Sequence, residues 1–267
     1  MPMDPISEIN GVHVSSLKDS YERIASHLQN RHAKHLGSVY KLADDRHSVT
    51  FQSESLLPYS SQNRTRILCL FSNAHPESIH RGMFHFAESG IAKLWTDLCV
   101  TGYMGVDRSV LQSPRLLREC CLNLEYTGPF ALGFACYWIF PTPHPDHLLK
   151  LFGHLREPPG FENTQQRLAV LLGNWQPHAI ISFNGKVFED LTGIQTKAYL
   201  KTIQTGLLLG QYAPPNSVSY TVFQTYPAAW RFDKNADQLR QDSLQRIRQR
   251  ILHEPGNIIG TSGQNAR

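Results

Sequence analysis

The sequence predicts an α/β protein, a three-layer α/β/α sandwich around a central, mostly parallel four-stranded sheet with an N-terminal helical arm. The main observation is an alternation along the chain: short apolar runs that end at Pro, Gly or Asn are followed by segments with apolar residues at helical spacing. This alternation is typical of parallel sheets covered by helices. A composition of 41% apolar and 18% charged residues also predicts a packed core rather than a disordered chain.

The first 62 residues are polar and rich in Ser and His. Within them, Tyr21, Ile24, Ala25 and Leu28 recur at helical spacing, which predicts a helix inside residues 17–36. We therefore divide the chain into a helical extension and loop (1–62), an α/β/α core (63–253) and a flexible tail (254–267). The tail assignment depends on its Gly, Asn, Gln and Ser content.

Four apolar runs predict the buried strands, and four amphipathic segments predict the helices between and after them. The strands are 67–72, 131–140, 179–183 and 219–224. The helical patterns are centred on 91–98, 168–175, 186–191 and 244–251, and the first two are closed by Gly102 and Pro177.

Several function classes are excluded by what the sequence lacks. The cysteines at 69, 99, 120, 121 and 136 form no CxxC pair, which argues against a zinc ribbon, a disulfide scaffold or an iron–sulfur cluster. Glycine-rich dinucleotide, P-loop and GxSxG motifs are missing. The apolar run 131–140 is too short for a spanning helix, which needs ~20 residues. We expect a cytoplasmic monomer, nucleoid-associated if bacterial, without membrane attachment, cofactor or metal.

Polar residues cluster where the predicted strands end. Because ligands of parallel sheets bind at the carboxyl ends of the strands, these segments predict one cleft built from several loops. The segments are Asn73-Ala74-His75-Pro76, Pro141-Thr142-Pro143, Asn184-Gly185 and Tyr226-Pro227.

Five short motifs occur in a distinctive order between about residues 66 and 252. They are Phe71-Ser72-Asn73-Ala74-His75, Gly82-Met83-Phe84-His85-Phe86-Ala87 before Leu94-Trp95, Phe140-Pro141-Thr142, Trp175-Gln176-Pro177 followed by Ile180-Ile181 and Gly185-Lys186, and Tyr226-Pro227. Together they resemble the uracil-DNA glycosylase superfamily, nearest its mismatch-specific and thymine-DNA glycosylase branch. In that branch the corresponding segments read Gly-Ile-Asn-Pro-Gly, Phe-x-Phe-Ala, Arg-Pro-Thr, Gln-Pro with Gly-Lys, and Asn-Pro or His-Pro.

The resemblance implies a monofunctional DNA glycosylase. Such an enzyme flips a damaged or modified pyrimidine out of the DNA, hydrolyses the N-glycosidic bond and leaves an abasic site without a lyase step. The partner would be duplex or single-stranded DNA, and the role would be repair or defence against modified foreign or phage DNA. The Asn or Lys that reads the pyrimidine in the family is absent here, so the base could differ from uracil.

The resemblance also assigns candidate catalytic residues. Asn73 matches the amide that positions the attacking water, His75 could bind the water or the leaving base, and Glu77 could stabilise the developing cation. Each has an ordinary structural alternative: an Asx turn for Asn73, and solvated loop side chains for the other two.

Base-binding and DNA-inserting residues follow from the same comparison. The pocket candidates are Phe86, Cys136, Tyr137 and Asn184, and the intercalation candidates are Tyr226, Pro227, Trp230 and Arg231. The aromatic residues among them could equally belong to the core. Tyr226 stands where the family has His or Asn, which leaves its role in leaving-group stabilisation open.

Basic segments could supply phosphate contacts, although a solvated surface is the common alternative. They are residues 31–35, residues 63–66, and Arg240, Arg246, Arg248 and Arg250 of the last helix. Two other functions stay open. One is a nucleic-acid-binding protein of the same fold without catalysis, and the other is an unrelated metal-dependent hydrolase using His75, His80 and Asp146.

Overall fold

The computed structural model describes residues 21–44, 46, 48–86, 93–153, 156–157, 164–215, 217–226, 235–253 and 259–260. Its strands are β1 (Tyr40–Leu42), β2 (Val49–Phe51), β3 (Ser55–Leu56), β4 (Thr65–Asn73), β5 (Phe130–Trp138), β6 (Ala179–Ser182), β7 (Leu208–Tyr212), β8 (Ser219–Gln224) and β9 (Ile259–Gly260). Its α-helices are α1 (Tyr21–His32), α2 (Pro76–Arg81), α3 (Lys93–Val100), α4 (Arg108–Gln112), α5 (Pro114–Asn123), α6 (Pro145–Phe152), α7 (Thr164–Trp175), α8 (Gly185–Thr192), α9 (Leu200–Thr205) and α10 (Ala236–His253).

The central sheet has the strand order β3-β5-β4-β6-β8-β7, and the short β9 pairs with the start of β8. The four predicted strands are its parallel centre, β5-β4-β6-β8. The predicted strand number of four is wrong, because β3 and β7 extend the sheet to six and the two-residue β9 adds a short seventh strand. β3 and β7 are antiparallel edge strands, so the sheet is mixed. β1 and β2 form a separate hairpin.

Helices cover both faces of this sheet, which confirms the α/β class. Alternate residues of β4 show the division: Leu68 and Leu70 belong to one buried cluster, and Cys69 and Phe71 to another. We call the first side the α1 face, because α1, α6, α7, α8 and α9 contribute to it. The second side is the α3 face, built with α3, α5 and α10.

The N-terminal segment contributes directly to the core. Ile24 and Leu28 of α1 are buried on the α1 face, and Ser55 of β3 pairs with Ala135 of β5. The boundaries at residues 62 and 253 stay predictions. None of the described helices is both long enough and apolar enough to cross a membrane.

Candidate functional site

The chain changes direction across the sheet at the boundary between β4 and β6. From β4 it moves to β5 on one side, and it later returns to β6 and β8 on the other. Such switch points open a crevice at the carboxyl ends of the strands. Two aromatic rings lie there: Phe71 near the end of β4 stacks on Phe183 just after β6, with centroids 4.5 Å apart and planes 10° apart.

Asn73 joins two loops at this edge. Its Nδ2 donates to the carbonyl and hydroxyl oxygens of Thr142, at 2.7 and 3.0 Å, and contacts the carbonyl of Ala74 at 3.0 Å. Its Oδ1 accepts from the Ser72 hydroxyl at 3.2 Å. The nitrogen is thus anchored to the loop after β5, which fixes the side-chain orientation and leaves a second lone pair on Oδ1.

His75 caps the next helix. Its Nδ1 accepts from the main-chain N–H of Glu77 at 3.2 Å, at the start of α2. A neutral imidazole that accepts at Nδ1 carries its proton on Nε2 and can donate there. His75 therefore has a structural role as the N-cap of α2. This role is compatible with a proton on Nε2.

Glu77 is surrounded by cations. Its carboxylate accepts from Arg81 Nε and Lys34 Nζ, each at 2.9 Å, and lies 3.6 Å from His35 Nε2. The hydrogen bonds from Arg81 and Lys34 lower the pKa of Glu77 to about 2. Its negative charge is already compensated by these neighbours, so it is less available to a developing sugar cation.

Glu54 is a candidate that the sequence did not reveal. Its side chain is buried, with 7% of the residue exposed, and it accepts from the main-chain N–H groups of His75, at 3.1 Å, and His85. Burial raises its pKa to about 8 despite these hydrogen bonds. The carboxyl group is therefore protonated at pH 7, and a neutral carboxylic acid at a strand-end site is a typical general acid.

We expect Glu54 to make the protein less stable as the pH rises. The folded state holds this proton up to about pH 8, whereas an unfolded glutamate releases it near 4.5. The folded state thus binds more protons between these values, and the free energy of unfolding falls with pH. Relative to Glu54→Gln, the wild type should lose about 1–3 kcal/mol between pH 5 and 8. Denaturant titrations at several pH values would measure this.

The matched control for that comparison is Glu22→Gln, since Glu22 is exposed on α1. Parallel curves for wild type and Glu54→Gln over this pH range would show that Glu54 ionises normally.

Aromatic residues line the α3 face beneath this edge. Phe84 lies 5.2 Å from Phe71 between ring centroids, and Phe86 is buried in the same cluster. Cys136 packs against that cluster and is half-buried, and burial raises its thiol pKa. The predicted pocket residues Phe86 and Cys136 thus lie on the same face of the sheet as Phe71.

Three further predicted pocket and DNA-binding residues do not belong to this aromatic cluster: Tyr137, Tyr226 and Asn184. Tyr137 and Tyr226 are buried on the α1 face. Tyr137 faces away from Cys136 because neighbouring residues of a strand point to opposite sides of a sheet. Asn184 caps α8, and its Oδ1 accepts from the main-chain N–H groups of Lys186 and Val187 at 2.9 and 3.2 Å. The remaining intercalation candidates lie outside the described residues: Pro227, Trp230 and Arg231.

Most of the predicted phosphate-binding arginines make contacts within the protein. Arg246 donates to the carbonyls of residues 203, 204 and 206, and Arg248 donates to the carbonyl of Gly102. Arg240 is buried in an ion pair with Asp97. These guanidinium groups stabilise the packing of α10, so the last helix offers fewer cations to DNA than its sequence indicates.

The rival metal site does not form in the described part of the chain. His75, His80 and Asp146 are not grouped at ligating distance there, whereas His27, His32 and His147 are. Burial lowers the pKa of His32 to about 4, and it also lowers the pKa of His27 and His147. A pattern search could not find this trio, because α1 and α6 are separated by more than 100 residues of sequence.

No protein-family model matches the chain, and no curated protein sequence is significantly similar to it.

Proposed function

We propose that the protein is a monofunctional DNA glycosylase acting on a damaged or modified pyrimidine. The observation that carries this proposal is the geometry of Asn73, whose amide nitrogen is tied to Thr142 while its oxygen retains a free lone pair. An amide held this way can accept a hydrogen bond from a water molecule and orient it, but it cannot remove a proton efficiently.

The reaction would be a simple hydrolysis. The water oxygen forms a bond to C1′ of the sugar, the C1′–N bond breaks with its electron pair going to the base, and one water proton ends on the base. The candidate hydrogen-bond donors to a negative leaving base are the protonated carboxyl of Glu54, which contacts the main chain of His75, and a proton on Nε2 of His75, two residues after Asn73.

A flipped base also needs an apolar surface against which to stack. Phe71, Phe183 and Phe86 belong to the buried aromatic cluster of the α3 face, and a base that reached these rings would gain about 1–3 kcal/mol from stacking. With a formal net charge of +4 and several arginines engaged internally, we expect modest DNA affinity that falls with salt.

Substitution of Asn73 tests the proposal. The protein is incubated with oligonucleotides that carry uracil, a thymine mismatch, hydroxymethylcytosine or glucosylated cytosine, and alkali-labile sites are scored in single turnovers. We expect base release from at least one substrate, and Asn73→Ala should slow it on the order of 100-fold because water is no longer positioned.

Asn174→Ala is the matched control, since Asn174 is exposed on α7. It should keep the wild-type rate, and circular dichroism should show that both variants fold. Base release from none of the substrates, together with DNA binding by the wild type, would favour the non-catalytic binding protein. An unchanged rate in Asn73→Ala would remove Asn73 from the mechanism.

A further inference from the structure

Three histidine side chains converge where α1 meets α6. His27 and His32 come from α1 and His147 from α6, and each offers a ring nitrogen to a group in which no two ligand atoms are more than 4.8 Å apart. The ring centroid of His27 lies 5.3 Å from that of His32 and 5.7 Å from that of His147. Two separate elements thus point their imidazoles at one position.

These rings carry nitrogens without partners. His27 Nε2, His32 Nε2 and His147 Nδ1 are each buried and make no hydrogen bond to the protein. His32 as a whole is only 3% exposed. A buried polar atom without a partner destabilises the folded protein, so unsatisfied nitrogens on three adjoining rings indicate a bound species that accepts their lone pairs.

The donor set selects the class of ligand. Neutral imidazole nitrogens bind Zn²⁺ and similar first-row transition ions, whereas Mg²⁺ and Ca²⁺ prefer oxygen. With Zn–N bonds of about 2.0–2.1 Å, tetrahedral ligand atoms lie roughly 3.4 Å apart. The observed spacing of up to 4.8 Å is wider, so metal binding would draw the three rings closer together. Three histidines leave a fourth position for water or another ligand.

Charged neighbours surround the three rings. Burial, and then the charges of Arg31 and Lys150, lower the pKa of His27 and His147, and Asp146 acts in the opposite direction on His147. His144 lies further out, with its ring centroid 6.3 Å from that of His147. Arg31 and Lys150 repel a divalent ion, so the affinity must come from the bonds to the nitrogen ligands and not from the surrounding charges.

We propose that His27, His32 and His147 form a site for Zn²⁺ or a related transition ion, which clamps α1 onto α6. This site lies outside the proposed glycosylase residues, and it does not depend on that function. It does connect to them, because the loop that leads into α6 carries Thr142, the anchor of Asn73.

Metal titration of the full chain tests the site. After dialysis against a chelator, ZnCl₂ is titrated by calorimetry, and CoCl₂ is followed by its visible d–d absorption. We expect one ion per chain, an absorption band typical of tetrahedral nitrogen ligands, and a higher melting temperature with zinc. His147→Gln should weaken zinc binding at least 100-fold and remove the cobalt band.

His253→Gln is the control, because His253 is exposed at the end of α10 and the chain has 13 histidines that could bind metal adventitiously. It should leave stoichiometry and affinity unchanged. His27→Gln provides a second ligand variant in case His147→Gln folds poorly. Zinc binding that is not stoichiometric, or that His147→Gln and His27→Gln leave unaltered, would overturn the proposal.

Discussion

Replacing Asp97 by Ala should lower the free energy of unfolding by about 3–5 kcal/mol, the range expected when one partner of a buried ion pair is removed. Asp97 on α3 is 1% exposed, and it accepts from Arg240 Nε at 2.6 Å and from Gln241 Nε2 at 2.8 Å. Its loss would leave the Arg240 guanidinium, 6% exposed, with the exposed Asp237 as its remaining acidic partner among the described residues.

Denaturant titration would measure this effect, with Glu119→Ala as the control. Glu119 pairs with Arg115 on the surface of α5 at 3.0 Å, and such exposed pairs contribute little. The double variant Asp97→Leu with Arg240→Met should lose less stability than Asp97→Ala, because it leaves no unpaired charge. A loss of under 1 kcal/mol in Asp97→Ala would show that Arg240 finds other partners or solvent.

Trp95→Ala should cost a similar amount, about 3–5 kcal/mol, through the cavity it creates. Trp95 is fully buried on the α3 face, with its ring centroid 4.8 Å from that of Phe134. Its Nε1 also donates to the Phe84 carbonyl at 3.1 Å, and Phe84 packs on Phe71 at the switch point. The substitution should therefore loosen the aromatic surface as well as the core.

Trp95→Phe separates the two contributions. It keeps most of the buried ring but leaves the Phe84 carbonyl without its donor, and we expect a loss of about 1–2 kcal/mol. Val170→Ala, at a side chain 63% exposed on α7, should have almost no effect on the same thermal or denaturant curves. Equal losses in Trp95→Ala and Trp95→Phe would assign the whole effect to the hydrogen bond.

The parallel centre of the sheet was predictable because its strands are continuous apolar runs, as buried strands are. β7 was not, because its alternation of buried and exposed positions is hidden in the sequence: the apolar Leu209 is exposed and Gly210 is at a buried position. β3 was missed because two residues, Ser55 and Leu56, carry no readable pattern. Both edge strands form because they pair with β5 and β8. Such pairing depends on the tertiary structure and cannot be seen in a local sequence pattern.

The sequence predicted which loops contribute to the site, but not the contacts between those loops. The position of Asn73 at a strand end followed from an apolar run that stops in a polar segment, and its link to Thr142 needed the strand order. Glu54 lies in a polar stretch that resembles a solvated loop, and only the docking of β3 on β5 buries it. Alternation along β5 separated Cys136 from Tyr137, which the sequence interpretation had put in one pocket.

The two-residue strand β3 covers part of the outer edge of the much longer strand β5. β5 is a nine-residue strand in which eight positions are buried, and β3 is its only neighbour on the side away from β4 among the described residues. A truncation that begins at residue 63 would remove the strand partner of Phe134 and Ala135, the two β5 residues that pair with β3, and would leave the middle of this edge open. Open apolar edges of this kind recruit strands from other molecules, so such a fragment would tend to aggregate.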